Sequence, residues 1–322
     1  MKRVRKNPLL LNLVLTLAAV IALPPAAAAQ DRRAEATDTE TRTLALGPSG
    51  AVELENVAGD IECVVGSGPD VVVQIDRLAR GRSDREAQLG LREVRTVVDQ
   101  QGERVTIRVQ YPPDRRSAPY SLSVRYTVSA PAGTRLTITT VSGDVRVRDI
   151  TGGLNARTVS GDVAISNAGQ VSRVASVSGD VTITGGATTG SMEAESVSGD
   201  VRITNVQADR VDARSVSGDI EIGSLTTAQL SLASTSGDVE FEGDLQRQGR
   251  YEIRSHSGNV YLRPGAATGY ELRATTFSGR IEADAAEDPG RGRERSLRAT
   301  VGDGSAVIEA TTFSGNVTVT TR

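Results

Sequence analysis

The feature that most constrains this chain is a tetrad, Ser-Gly-Asp-Val or a close variant. Its serine recurs at positions 142, 160, 178, 198, 217, 236, 257, 278 and 314. The spacings run 18, 18, 20, 19, 19, 21, 21 and 36, the last equal to about two periods with a degenerate unit between. Each copy alternates apolar and polar residues on both sides of the turn. Leu136-x-Ile138, Val211-x-Ala213 and Tyr251-x-Ile253 precede it; Val145-x-Val147, Val201-x-Ile203 and Val239-x-Phe241 follow it. A period of two means strands with one buried face. Two short strands per nineteen residues cannot bury that face alone, but stacked copies cover one another. The expectation is an all-β, single-chain β-solenoid (a β-helix of about 19 residues per coil) over residues 131–322.

Composition narrows the function. The 322 residues hold 37 basic and 40 acidic groups, for a formal charge of −3. Lys2, Arg3, Arg5 and Lys6 all precede residue 30, so without them the charge falls to −7. No basic excess is available to replace counterions on a phosphate backbone, which excludes nucleic acid as a partner. One cysteine allows no intrachain disulfide, and one histidine allows no cluster of histidine ligands.

Residues 1–29 combine a basic start, an apolar run from Leu9 to Leu23 and small residues Ala27 and Ala29. This is the pattern of a cleaved signal peptide; the run of about fifteen residues falls short of the roughly twenty that span a bilayer. The mature chain is expected to be exported, periplasmic or extracellular, without a membrane span after processing. Residues 37–130 differ from the repeats and carry one divergent copy, Val57-Ala58-Gly59-Asp60-Ile61. They read as an N-terminal antiparallel β module capping the first coil, with one short helix that Ser83 starts and Glu86 supports as a capping-box partner. Residues 285–304 read as a charged, Gly/Pro-rich interrupting loop.

Three columns follow from stacking. Gly143, Gly161, Gly179, Gly199, Gly218 and Gly237 sit at the corner, where a sharp turn calls for positive φ. Thr140, Thr158, Ser176, Ser196, Ser215, Ser234, Ser255, Thr276 and Thr312 fall on the apolar side of the alternation, so they are expected to point inward as a ladder. There each hydroxyl would donate to its neighbour's oxygen. Asp144, Asp162, Asp180, Asp200, Asp219 and Asp238 would lie about 5 Å apart, repelling by roughly 0.8 kcal/mol per pair in water. Each carboxylate is expected to cap N–H groups at its own corner; a row of weak Ca²⁺ sites is the sharper alternative, the one cofactor these residue types suggest.

The aromatics concentrate from Phe241 onward, which makes Tyr251, Tyr261 and Tyr270 the expected binding surface, unless the rings fill wider coils. Identical polar residues in every copy serve a fold, whereas an active site needs unique, convergent acids and bases. His256 in Ser-His-Ser-Gly-Asn is the sole candidate general base, so a polysaccharide-acting enzyme is the weaker reading.

VSAPAGTRLTITTVSGDV, the repeated xVSGDVxI and the VAGDIEC module resemble a bacterial family of unknown function labelled "putative adhesin", with β-strand repeats. The resemblance spans about residues 45–322. It implies an exported β-helical envelope protein and brings no catalytic residues. The function expected is a non-catalytic, rigid scaffold presenting a binding or adhesion surface to an envelope protein or glycan, or self-associating through its C-terminal end. An accessory or sensor component of an envelope-stress system is the alternative.

Overall fold

A computed structural model describes residues 33–113, 118–265, 267–284 and 295–320; the expected signal peptide lies outside them. The chain opens with β1 (Ala34–Ala45), β2 (Ala51–Glu55), β3 (Ile61–Val65) and β4 (Asp70–Gly81). The helix α1 (Asp84–Glu93) follows, then β5 (Arg95–Gln101), β6 (Arg104–Gln110) and β7 (Tyr120–Ala130). Next come β8 (Arg135–Ser142), β9 (Val145–Arg148), β10 (Leu154–Ser160), β11 (Val163–Ala168), β12 (Val171–Ser178) and the long β13 (Val181–Ser198). The middle copies supply β14 (Val201–Thr204), β15 (Gln207–Ser217), β16 (Ile220–Gly223), β17 (Gln229–Ser236) and β18 (Val239–Gly243). The last are β19 (Arg250–Ser257), β20 (Val260–Pro264), β21 (Tyr270–Ser278), β22 (Ile281–Ala283), β23 (Ser296–Val301), β24 (Ala306–Ser314) and β25 (Val317–Val319).

These strands form two ladders that share β13, which turns from one into the other. The first runs β5-β6-β2-β8-β10-β12-β13-β15-β17-β19-β24-β21-β23. The second runs β1-β4-β7-β3-β9-β11-β13-β14-β16-β18-β20-β25-β22. Equivalent residues of successive copies are partners, so Ser142 lies beside Ser160, Ser160 beside Ser178 and Ser178 beside Ser198. The alternation decides what is inside: Leu136, Ile138, Val145 and Val147 are buried, while Arg135, Thr137, Arg146 and Arg148 are exposed. The fold is all-β, solenoid-like and carries one helix among the described residues.

The N-terminal part departs from a purely antiparallel module. Only β1, β4 and β7 on one ladder and β5 and β6 on the other pair antiparallel. β2 and β3, on either side of the divergent copy, pair parallel with β8 and β9, and Ile61 takes Val145 as its partner. The divergent copy is therefore a rung of the stack itself. Helix α1 packs against β4 and β1. Ser83 accepts from the Glu86 N–H, and the Arg77 guanidinium donates to the Leu91 and Val94 carbonyls at 3.3 and 3.2 Å, satisfying groups at the other helix end.

The C-terminal part departs too. Chain order would place the copy at Ser278 next to that at Ser257. Instead β24 and β25 insert between them, so Ser257 partners Ser314 and Ser314 partners Ser278. Within the expected loop 285–304, Ser296–Val301 is a strand, β23, pairing antiparallel with β21 on its outer side. The final strand thus lies inside the stack rather than at its end.

Candidate binding surface

The corner between the ladders is built from backbone groups that strands alone leave unpaired. At each turn the glycine carbonyl accepts a hydrogen bond from the buried hydroxyl of the next copy. Ser176 donates to Gly161 at 3.0 Å, Ser196 to Gly179 at 2.9 Å, Ser215 to Gly199 and Ser234 to Gly218 at 3.1 Å. Thr158 reaches Gly143 at 3.4 Å and Ser255 reaches Gly237 at 3.0 Å. In the reordered end, Thr312 donates to Gly258 at 2.8 Å and Thr276 to Gly315 at 2.9 Å. The hydroxyl column points inward, at most 6% exposed, yet its acceptors are main-chain carbonyls and not neighbouring hydroxyls. Thr140 Oγ1 is the exception, without a hydrogen-bond partner; at this rung Gly59 O accepts from the Asn56 amide.

The glycines are required by crowding as much as by conformation. Gly143, Gly161 and Gly179 have φ of 142°, 140° and 153°, whereas Gly199, Gly218 and Gly237 lie outside the left-handed range. In all six, a Cβ would overlap the carbonyl oxygen of the glycine one copy earlier.

The aspartates form a second ladder, outside the first. Each accepts, through Oδ1, the backbone N–H of its counterpart in the next copy. Asp144 accepts from Asp162 at 3.1 Å, Asp162 from Asp180 at 2.9 Å, and Asp180 from Asp200 at 2.8 Å. Asp200 accepts from Asp219 at 2.8 Å and Asp219 from Asp238 at 2.7 Å. The series begins at Asp60 and continues through Asp238, Asn259 and Asn316 to the N–H of Arg280. The carboxylates therefore cap their neighbours' corners, whereas the turn alone would suggest that each caps its own. A charge-assisted bond to an N–H offsets the repulsion along the column. Among the described residues, no group of three Asp, Glu, His or Cys side chains is arranged to hold a metal ion.

The tyrosines divide. Tyr251 and Tyr270 are fully buried, which removes them from any binding surface; they belong to the inward alternation of β19 and β21. The Tyr251 hydroxyl donates to Thr227 O and accepts from Gln246 N, both at 2.8 Å, and burial raises its pKa. Tyr261 is half-buried beside Asp200, Asp219, Asp238, Glu221 and Glu240, in a groove of about 190 Å³ that also holds Arg202.

The surface that sequence reasoning missed is the residue just ahead of each repeat serine. It follows the buried hydroxyl, so alternation turns it outward, and the column reads Val141, Val159, Val177, Val197, Val216, Thr235, His256, Phe313, Phe277 in spatial order. The valines are 44–48% exposed, Phe313 48% and Phe277 60%. At the C-terminal end the rings stack. His256 and Phe313 lie 5.0 Å apart at 13°, Phe313 and Phe277 4.7 Å apart at 4°, and the Arg295 guanidinium sits 5.7 Å from the Phe277 centroid. These contacts let the rings stay exposed at reduced cost. The depression around them is lined by Ser, Thr and Arg254 and holds no carboxylate among its described lining residues. Among the described lining residues no second general acid or base stands beside His256.

Among the described residues no helix is long and apolar enough to cross a membrane. The chain is similar to solved structures of three bacterial proteins. A "putative adhesin" from Bacteroides fragilis is 13% identical over 88% of this chain and 97% of its own, with a TM-score of 0.43. A "putative adhesin" from Parabacteroides distasonis is 12% identical over the same shares, with a TM-score of 0.40. A "putative lipid binding protein" from the same species is 13% identical over 88% and 97%, with a TM-score of 0.41. No curated protein matches the chain. The Toastrack DUF4097 family model matches residues 123–185 and 170–320, more than half of the sequence, and the chain belongs to that family.

Proposed function

We propose that this is a non-catalytic, exported scaffold of the cell envelope, a β-solenoid with one coil about every nineteen residues. In this reading the aromatic end of its outer column binds another envelope protein. The observation that carries it is the exposed stack of His256, Phe313 and Phe277, flanked by Arg254 and Arg295. Aromatic and arginine side chains are the residues that dominate protein–protein contacts when they are buried by a partner. Because the ring faces are turned on one another, the stack offers edges and apolar borders outward. That suits packing against a partner's aliphatic side chains better than face-on stacking with a sugar. The signal-peptide pattern in the sequence of residues 1–29 supports the compartment, and the repetition of polar residues copy after copy supports a structural role over a catalytic one.

The test is capture from envelope extract with the wild-type chain and with His256→Ala/Phe277→Ala/Phe313→Ala, both checked for the same melting midpoint. One defined protein retained by the wild type and lost from the variant is expected. Equal recovery from both would sink the reading.

A further inference from the structure

We propose that the valine part of the outer column is an interface between two copies of this chain, which lie side by side with their stacks parallel. The proposal goes beyond the preceding reading and stands on different residues: Val141, Val159, Val177, Val197 and Val216. Together with Phe277 and Phe313 these make seven of the nine exposed large hydrophobic side chains among the described residues. Seven on one line is a patch rather than scatter, and patches of that kind mark contact surfaces.

The spacing selects the occupant. Valines on successive rungs repeat every 4.8 Å or so, the distance between paired strands. An extended peptide laid along the column presents one side about every 6.8 Å and falls out of step within a few rungs. A second copy carries the same repeat and stays in register throughout, as sheets do when they pack face to face across a dry seam.

The flanks select the direction. On the corner side of the valines runs the unbroken column Asp144, Asp162, Asp180, Asp200, Asp219 and Asp238. On the other side, two residues before each valine, stand Thr139, Arg157, Ala175, Glu195 and Arg214. Arg157 is exposed and makes no ion pair among the described residues, whereas Glu195 is paired with Arg173, and Arg214 with Asp212 and Glu195. If the twofold axis runs parallel to the stacks, the aspartate flank of each copy faces the flank of the other that carries Arg157. Arg157, the unpaired cation of this flank, then meets the partner copy's Asp162 level. Antiparallel stacks would instead set one aspartate column against the other. The five valine rungs give a seam roughly 24 Å long, so a strip about 18 Å wide covers on the order of 400 Å² per copy, the size of a weak, reversible interface.

Sedimentation equilibrium of the purified chain tests this. A concentration-dependent dimer is expected, weakened at least tenfold by Val159→Glu/Val177→Glu/Val197→Glu and more mildly by the corresponding three Val→Thr changes, which keep a strand-forming side chain. Arg157→Glu is expected to weaken it as well. Val141→Cys and Val216→Cys, made singly, should each give a symmetric cross-linked dimer, because parallel copies bring every equivalent pair together. All these variants leave His256, Phe277 and Phe313 in place, so envelope-partner capture is expected to survive them. A chain that stays monomeric at about 1 mM overturns the proposal, as does a dimer indifferent to the valine changes. Cross-linking at only one of the two cysteine positions overturns the parallel arrangement.

Discussion

Replacing Ser215 separates the two tasks of the buried hydroxyl, filling space and satisfying a carbonyl. Ser215→Ala leaves Gly199 O buried without its donor and is expected to cost about 1–3 kcal/mol. Ser215→Thr keeps the donor and adds a methyl that the column already accepts at Thr158, Thr276 and Thr312, so its unfolding midpoint in urea should stay close to wild type. Equal loss in both would refute the assigned role. Gly218→Ala drives a methyl into Gly199 O and is expected to cost about 2–4 kcal/mol; Gly68→Ala, with nothing within 4 Å, serves as its control. Cys63 is fully buried, and desolvation pushes its thiol up from 9.0 to about 12, with Glu62 adding to the rise. A raised folded pKa means the neutral thiol contributes fully below about pH 9, and its contribution is lost as pH climbs from there toward 12. At pH 8 a disulfide-exchange reagent should therefore label Cys63 only as fast as the chain opens; immediate labelling would contradict its placement. The inward side of the hydroxyl column was legible from alternation alone. Its acceptors were not, because they are main-chain carbonyls whose direction is set by the turn.

The order of the last two copies was the least legible element. The spacing of 36 between Ser278 and Ser314 reads as a skipped coil when copies are assumed to stack in chain order. What reverses the order is β23, which takes the outer side of β21 and leaves β24 and β25 the place between β19 and β21. One sequence oddity then acquires a cause. Arg280 breaks the Asp/Asn column because its copy is outermost, with no later N–H for an acceptor to reach, whereas Asn316 and Asn259 each still accept one. The order is testable with cysteines in exposed positions. Ser257 and Ser314 are direct partners, about 4.8 Å apart at Cα, within the range of a disulfide; Ser257 and Ser278 are two rungs apart, about 9.6 Å, and beyond it. Ser257→Cys/Ser314→Cys should oxidise readily and Ser257→Cys/Ser278→Cys should not. The reverse result would restore chain order. Tyr251 and Tyr270 were legible as core from the same alternation, since Tyr251-x-Ile253 and Tyr270-x-Leu272 put both rings on the inward face, whereas Tyr261 stays half-buried at the surface.

A stack of this kind has two ends, and they are protected unequally. At the N-terminal end the parallel ladders are continued by antiparallel strands on both sides, β4 and β1 beyond β7 and β5 beyond β6, with α1 packed on β4. At the C-terminal end β23 continues the first ladder, while among the described residues the second ends at the three-residue β22, whose Ile281 and Ala283 are only half-buried where their counterparts Val260 and Leu262 are fully covered. In a nearest-neighbour stack each rung is held by the two beside it, so opening begins where one neighbour is missing and moves inward. Amide exchange followed by mass spectrometry should accordingly show a gradient. Segments within 281–284 and 296–301 are expected to exchange first, and segments within 211–241, held on both sides by full rungs, last and close to the rate of global unfolding. The N-terminal strands β4 and β7, paired twice over, should exchange more slowly than β22. Uniform exchange along the stack would mean that the ends are as firmly held as the middle and that the molecule opens as one unit, which a column of rungs bonded only to their neighbours does not do.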